Sequence, residues 1–280
     1  MQNNTFSTLF VGQNLIKLTT VDSTNNYFKS LMSKSEPLAE GTVIMADDQF
    51  AGRGQQESTW ISAPGKNLTF SLLLKPGFLP ITQQFKLNMV VCNALRNAIS
   101  TFSQRNIAFK WPNDLYYDHK KLGGILIENM LAGNTYKASI VGIGINVNQL
   151  EFSGLLAHKA TSLGQILQRD VNLIQLLAEI CSQIESGYLR LKSGTYTDLE
   201  EQYLKGLYKY DEIAFYKQGD DVFEARITGV TAQGLLVMEK AGKTVQFNLK
   251  EIEFLTKENE KTNLNAKPVV LYRNGCLCSD

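Results

Sequence analysis

The sequence has few of the residues that build metal sites and disulfide frameworks, with two histidines and four cysteines in 280 residues. Cys276 and Cys278 form a Cys-x-Cys pair, which supplies too few ligands for zinc, and neither histidine lies close enough in sequence to complete a site. Cys92 and Cys181 lie in amphipathic stretches, a position typical of buried core thiols. The cysteine pattern therefore favours a reducing compartment and predicts a cytoplasmic protein.

The sequence also lacks an excess of charge and a long apolar run. Lysine and arginine total 28 against 27 acidic residues, so bulk charge gives no reason to expect a nucleic-acid or membrane partner. The longest apolar candidate, residues 68–74, contains Thr69 and Ser71 and is too short to cross a bilayer. The first five residues lack the basic and apolar blocks of a signal peptide. We expect neither a membrane nor a nucleic-acid partner.

The sequence does contain enough apolar material, 44% of its residues, for a sizeable core. Apolar residues at spacings of three or four predict long helices, and shorter apolar stretches between turn signals predict strands. Because the two types are mixed rather than strictly alternating, we expect an α+β fold with a mixed, largely antiparallel sheet packed with helices. Helices are predicted over residues 25–33, 82–104, 173–188 and 199–207, and strands over residues 9–19, 43–46, 67–74, 107–111, 115–117, 122–128 and 136–147.

The texture of the sequence changes near residue 209. Short β segments follow, and they are separated by turn signals around Gly219, Gly234 and Gly242. This regular spacing predicts a small SH3-like β-barrel over residues 209–255, after a main domain over residues 1–208. Residues 256–280 are charged and then irregular, which predicts a loosely ordered extension.

A first candidate for chemistry is Arg53, which lies between Gly52 and Gly54 on a polar loop after a predicted strand. Glycines let backbone N–H groups approach an anion, and a guanidinium group binds an anion bidentately. Alone the Gly-Arg-Gly pattern is weak evidence, because a flexible surface loop with one solvated arginine can show the same pattern.

A second candidate is residues 110–114, Lys-Trp-Pro-Asn-Asp, where a lysine ends a predicted strand before a tight turn. A cation held there suits a carboxylate or an α-phosphate, and neutralising both lets one anionic group attack another. A surface lysine at a hairpin corner is the plain alternative. Residues 121–128 follow, and their glycine pair, Gly123 and Gly124, allows close backbone approach to a ligand or marks a bulge.

A third segment has glycines that alternate within a predicted strand, Gly142 and Gly144. They leave one face of the strand open, either for a flat ligand or for packing. The segment lacks the third glycine and the following helix of a dinucleotide fingerprint. The sequence also gives no P-loop and no support for a Ser-His-Asp triad, so ATP chemistry would need another architecture.

Together these segments resemble the biotin protein ligase family, which is related in fold to lipoate ligases. The small β-domain agrees with the C-terminal module of that family. The matching strings occur in the family's order, and they are residues 22–25, Gln49 with residues 52–54 and Trp60, residues 110–114, residues 121–126 and residues 142–146.

The resemblance implies a class II synthetase-like fold and a two-step reaction, with residues 1–208 as the catalytic domain. ATP and biotin would give biotinyl-5′-AMP and pyrophosphate, and a lysine of a biotin carboxyl carrier protein would then take the biotin. Magnesium would accompany ATP, and no residue is assigned as a metal ligand. The implied catalytic residues are Lys110, which would bind the biotin carboxylate and the α-phosphate, and Arg53, whose loop would close over the adenylate.

The other contacts that the resemblance implies fall into two groups. Those to biotin come from Ser23, Thr24, Asn25, Gln49, Gly52, Gly54, Lys110, Gly124 and Ile125. Those to the nucleotide come from Arg53, Gln55, Trp60, Asn113 and Asn146.

The loop departs from the family's pattern after Arg53. Glu57 stands where a glycine is usual, and no basic residue lies between Arg53 and Trp60. Because of this departure, a catalytically impaired biotin-binding protein remains an alternative interpretation. Because the fold is shared, a lipoate or octanoyl ligase remains another. Too few residues precede Asp22 for the helix-turn-helix domain that some family members carry, so DNA binding is not expected. The sequence does not identify the acceptor carboxylase, and it leaves open whether the protein forms a homodimer.

Overall fold

The computed structural model describes residues 6–34, 37–56, 58–103 and 105–255. Its larger part is built on a seven-stranded sheet with the strand order β1-β2-β3-β7-β6-β5-β4. The first two strands are parallel and all other neighbours are antiparallel, which confirms the mixed, largely antiparallel sheet. The strands are β1 (Leu15–Val21), β2 (Val43–Gln49), β3 (Leu68–Leu74), β4 (Ala108–Lys110), β5 (Asp114–Tyr117), β6 (Lys120–Ala132) and β7 (Thr135–Ile145).

Helices cover both faces of this sheet, which is why β3 is buried along its whole length. On one face Phe28 packs in a small cluster with Ile44, Leu73 and Ile140. The other face carries the main core, to which the two long helices contribute most of their buried side chains. The helices are α1 (Thr24–Met32), α2 (Phe85–Ser100), α3 (Leu163–Leu167), α4 (Leu173–Lys192) and α5 (Leu199–Lys205).

The N-terminal segment differs from its prediction. A strand was expected from residue 9, but β1 begins at Leu15. The backbone N–H groups of Leu9, Phe10 and Val11 donate instead to the carboxylate of Glu185 on α4, at 2.7, 2.8 and 2.9 Å. The buried carboxylate therefore accepts the hydrogen bonds that the carbonyl groups of a neighbouring strand would otherwise accept. The prediction of a strand over residues 9–14 is wrong.

The smaller part is an antiparallel five-stranded sheet, as expected for the SH3-like barrel, with the order β11-β10-β9-β8-β12. It lies within the range 209–255 that the turn signals predicted. Positive φ angles at Gly219, Gly234 and Gly242 form its tight turns. The strands are β8 (Ile213–Gln218), β9 (Asp221–Val230), β10 (Leu236–Lys240), β11 (Lys243–Phe247) and β12 (Glu253–Phe254).

The two parts are joined by direct contacts. The indole Nε1 of Trp111 donates to the carbonyl of Gly234 at 2.9 Å. The backbone N–H of Phe85 donates to the carbonyl of Ala232 at 3.3 Å. These bonds place the barrel beside the end of β4. In the ranges that the structure covers, no helix has the length and apolar character to span a membrane. The predicted extension 256–280 and Glu57 lie outside the described residues.

Candidate active site

A cavity of about 430 Å³ opens between the seven-stranded sheet, the loop after β2 and the barrel. Its wall contains all but two of the predicted site residues, the exceptions being Gly52 and Asn146. Those that the fold brings together are Ser23, Thr24, Asn25, Gln49, Arg53, Gly54, Gln55, Trp60, Lys110, Asn113, Gly124 and Ile125.

One part of the wall is polar and uncharged. Ser23 and Thr24 lie at the start of α1 and are buried, each with 3% exposure. The backbone N–H and the hydroxyl of Thr24 both donate to Oε1 of Gln49, at 2.7 and 3.1 Å, and so orient that carboxamide. Ser23 occupies the N-cap position without a side-chain capping bond, so the helix end does not use its hydroxyl.

Asn25 is held from several sides. Its Oδ1 lies 2.5 Å from the hydroxyl of Ser71, and its Nδ2 donates to Oε2 of Glu128 at 2.8 Å. A Cβ atom added at Gly142 would lie 2.5 Å from Oδ1, so the glycine leaves room for the amide. The contacts explain why this buried side chain is fixed, and they give Gly142 a packing role.

Trp60 accounts for the second of the alternating glycines. A Cβ atom added at Gly144 would lie 2.5 Å from Cε2 of the indole ring, so the ring lies directly over that glycine. The flat group against the open strand face is therefore a side chain of the protein itself. The buried Nε1 of Trp60 has no hydrogen-bond partner among the described residues, which leaves one donor in the wall of the cavity.

Arg53 is tied to the sheet in this structure. Its guanidinium group donates to Oε1 of Glu128 at 3.1 Å and to Oδ1 of Asn26 at 2.8 Å. Burial alone would raise the pKa of Glu128, but hydrogen bonds from Lys29 and Asn25 and the nearby cations outweigh it and lower that pKa. The ionised carboxylate therefore holds Arg53 and its loop beside the cavity.

Lys110, at the end of β4, has an unusual environment for a lysine. Its Nζ lies 5.2 Å from the ring centroid of Tyr116 and 5.2 Å from that of Phe254, a barrel residue. Within the described ranges it makes no hydrogen bond or ion pair. Burial lowers the pKa of Lys110, while Asp114 and Glu253 act in the opposite sense.

Lys121 supplies a second cation to the cavity. Its Nζ pairs with Oδ1 of Asp114 at 2.7 Å, and a Cβ atom added at Gly124 would lie 3.6 Å from the same nitrogen. In the sequence Lys121 lies two residues before the glycine pair. The sequence predicted a catalytic role for Lys110 and none for Lys121. The register of β4 and β5 places Lys110 opposite Asp114, so the carboxylate that pairs with Lys121 also lies near enough to favour the charged form of Lys110.

Asn113 fixes the turn between these cations. Its Nδ2 donates to the carbonyl of Ile125, and the N–H of Ile125 donates to the carbonyl of Asn113 at 3.0 Å. The Trp111–Pro112 peptide bond of the same turn is cis. Asn113 therefore orders the backbone at the start of β6, where Gly124 and Ile125 form part of the wall.

The comparisons with known proteins agree with this geometry. The structure superimposes on the biotin protein ligase from Aquifex aeolicus in complex with biotin and ATP with a TM-score of 0.72 and 26% identity, covering 87% of this chain and 99% of that one. The model of the Biotin/lipoate A/B protein ligase family matches residues 17–146, which contain most of the cavity wall. Over those residues the chain is similar to this ligase family.

Curated relatives narrow the assignment to biotin ligases. The Bacillus subtilis bifunctional ligase/repressor BirA is 29% identical over 234 residues, which are 82% of this chain and 70% of that protein. The biotin--[acetyl-CoA-carboxylase] ligase of Paracoccus denitrificans is 32% identical over 148 residues, 51% of this chain and 59% of that protein. The resemblance inferred from the sequence and the enzyme class are thereby confirmed.

Two predicted residues of the ligase lie outside the cavity wall. Asn146 has 4% exposure, and its Nδ2 donates to the carbonyl of Thr161 at 3.0 Å, so it ties the end of β7 to the next segment. A Cβ atom added at Gly52 would lie 2.3 Å from the carbonyl oxygen of Trp60. Gly52 thus allows the two arms of the loop to approach, and both residues have structural explanations here.

The barrel contributes wall residues that the sequence did not reveal. Lys250 donates from Nζ to the carbonyl of Gln56 at 3.2 Å and so joins the barrel to the Arg53 loop. No local pattern identified these positions, because only the packing of two distant segments brings them to the cavity. They are Leu249, Lys250, Ile252, Glu253 and Phe254.

Proposed function

We propose that this biotin ligase forms biotinyl-5′-AMP from biotin and ATP and then transfers the biotinyl group to a lysine of a biotin carboxyl carrier protein. The observation that supports the proposal most directly is the composition of the cavity wall. A neutral polar part around Thr24 and Gln49 and two cations, Lys110 and Lys121, border the same space.

The neutral part suits the ureido ring of biotin, which has one carbonyl acceptor and two N–H donors. The Ser23 hydroxyl can accept or donate, and the Gln49 carboxamide is oriented by Thr24. A lipoyl dithiolane ring has no such groups and would leave these buried polar atoms unpaired. The site therefore favours biotin over lipoate.

The two lysines suit the adenylation step. The biotin carboxylate attacks the α-phosphorus of ATP, a P–O bond forms, and the bond to pyrophosphate breaks. Because both reactants are anionic, fixed cations reduce their repulsion and stabilise the charge that develops in transfer. In the second step the acceptor's amine attacks the acyl carbon, AMP leaves, and the amine loses a proton as the amide forms.

Magnesium enters the proposal only as the ion bound to ATP. In the part of the chain that the structure describes, no group of three or more His, Cys, Asp or Glu side chains could hold a metal ion. Asp114 lies in the cavity but already pairs with Lys121. The described residues therefore do not form a metal cage of their own, and Mg²⁺ commonly binds through substrate phosphates.

The test is incubation of the full chain with biotin, ATP, Mg²⁺ and a biotin-carrier domain, followed by mass measurement of the carrier. We expect a gain of one biotinyl group, and no gain on a carrier whose acceptor lysine is replaced by arginine. Replacing biotin with lipoate should give no product.

Pyrophosphate exchange separates the alternatives. Biotin binding without biotin-dependent exchange would support the catalytically impaired biotin-binding protein, the alternative suggested by the absence of a basic residue between Arg53 and Trp60. Exchange that depends on lipoate rather than on biotin would support the lipoate ligase.

A further inference from the structure

The cation at the end of β4 is held by a residue of the other domain. Lys110 belongs to the large sheet, yet one of its two aromatic neighbours, Phe254, lies on β12 of the barrel. Both ring centroids lie 5.2 Å from Nζ, within the distance at which a ring quadrupole attracts a cation. Without a hydrogen bond or ion pair among the described residues, this ammonium group depends on the rings for its position.

Phe254 is itself fixed by the barrel. It pairs with Tyr216 in the register of β8 and β12, and the two rings meet edge to face at 5.2 Å. On another side its ring stacks on Tyr208 at 6.4 Å, and Tyr208 in turn lies 5.8 Å from Tyr116. The two rings near the ammonium group of Lys110 thus belong to one aromatic cluster that joins the large sheet to the barrel.

We propose that Phe254 is a positioning residue for adenylate formation, because with Tyr116 it holds the ammonium group of Lys110 in the cavity; the inference rests on the proposed role of Lys110. Phe254 would not touch the reacting atoms. Its function would be to keep a cation that has no polar partner among the described residues at the point where two anions meet. The barrel would therefore be part of the catalytic apparatus.

The charges near Lys110 come from several elements. Asp114 on β5 and Glu253 on β12 favour its charged form, while Lys121 on β6 and Lys209 before β8 disfavour it, and burial acts most strongly of all. Because burial dominates, removing the aromatic cover should raise the pKa of Lys110 towards that of an exposed lysine. An aliphatic side chain in place of Phe254 keeps the ammonium group covered without an aromatic face, so it should not raise the pKa of Lys110.

The test compares three variants of the full chain: Phe254→Ala, Phe254→Leu and the control Phe215→Leu. Phe215 is also a half-buried barrel phenylalanine, but it does not contribute to the cavity wall. Without substrates, the pH dependence of Lys110 acetylation by acetic anhydride is read by peptide mass spectrometry. Exposed Lys243 in the same sample is the internal reference.

We expect the midpoint for Lys110 in the unaltered chain to lie below that of Lys243. Phe254→Ala should move it up towards Lys243, while Phe254→Leu and Phe215→Leu should not. In pyrophosphate exchange, Phe254→Ala should lower kcat about tenfold with little change in the KM for biotin. A merely structural role would lower the active fraction and leave the labelling midpoint in place.

An unshifted Lys110 midpoint in Phe254→Ala, or exchange at the unaltered rate, overturns the inference while the proposed function stands. Absence of biotin-dependent exchange in the unaltered chain overturns the proposed function. In that case the midpoint shift alone decides whether Phe254 positions Lys110.

Discussion

At the residue scale, the two lysines of the cavity carry their charge in different surroundings. Lys121 has Asp114 at 2.7 Å, whereas Lys110 is bordered by two aromatic rings. An ammonium group with a carboxylate partner attracts a further anion less, because much of its field is already neutralised. We therefore expect Lys110 to contribute more than Lys121 to binding the biotin carboxylate and the α-phosphate.

Lys110→Ala should lower biotin-dependent pyrophosphate exchange by about two to three orders of magnitude, because a preorganised cation is removed from the developing charge. The thermal midpoint should change little, since no hydrogen bond to Lys110 is lost among the described residues. Lys205→Ala, which removes an exposed lysine paired with Glu201, is the control. Near-normal exchange in Lys110→Ala together with loss in Lys121→Ala would transfer the role to Lys121.

Gly144→Ala should displace the Trp60 ring, because the new Cβ atom would lie 2.5 Å from Cε2 of the indole. Since Trp60 forms part of the cavity wall, we expect weaker biotin or ATP binding by isothermal titration. Gly229→Ala is the matched control, as it adds the same atom to a strand of the barrel with nothing within 4 Å. Equal affinities of the two variants would contradict the packing assigned to Gly144.

At the scale of elements, the loop after β2 is held by contacts of three kinds. Arg53 binds Glu128 on β6, the backbone of Gly54 and of Trp60 closes the loop on itself, and Lys250 of the barrel binds the carbonyl of Gln56. The loop therefore depends on side chains from β6 and from the barrel as well as on its own turn. This arrangement suits a segment that keeps water from an adenylate.

Arg53→Ala should release the adenylate faster, by roughly tenfold, because a bidentate cation and its anchor to Glu128 are both lost. Glu128→Gln should have a smaller effect in the same direction. Lys29→Ala is the control, since Lys29 pairs with the same carboxylate from α1 and not from the loop. The release rate is measured by chasing preformed labelled adenylate; an unchanged rate in Arg53→Ala would refute the role of the loop.

The anchor of the N-terminal segment belongs to α4. Glu185, with 6% exposure, accepts three backbone N–H groups, and an amide at this position can accept with one oxygen only. Glu185→Gln should therefore lower the free energy of unfolding in urea by about 1–3 kcal/mol. Exposed Glu200→Gln should change it little. Equal stabilities would show that the carboxylate does not hold residues 9–11.

At the scale of the whole molecule, patterns within one segment were predictable from the sequence and contacts between segments were not. The apolar spacing identified α2 and α4, and the regular turns identified the barrel, because both signals repeat over short distances. The motif strings identified the residues of the cavity because each string lies at a strand end or loop. The exceptions were Gly52, which lies against the carbonyl of Trp60 within the loop, and Asn146, whose partner Thr161 lies in a segment without a motif.

The contribution of the barrel to the cavity had no local signal. Phe254 and Lys250 lie more than a hundred residues from Lys110 and Arg53, and only packing of the barrel against the larger part of the structure brings them together. For the alternating glycines Gly142 and Gly144, too, the contacts between segments could not be predicted. Their open face was visible in the sequence, but Asn25 and Trp60 as its occupants were determined by tertiary packing.

The most direct test of the central claim is a crystal structure of the chain with a non-hydrolysable biotinyl-adenylate analogue. We predict that the ureido ring lies against Ser23, Thr24 and Gln49, and that the group replacing the acyl phosphate lies within hydrogen-bond distance of Nζ of Lys110. An analogue bound in the reverse direction, or outside the cavity between the sheet and the barrel, would contradict the account.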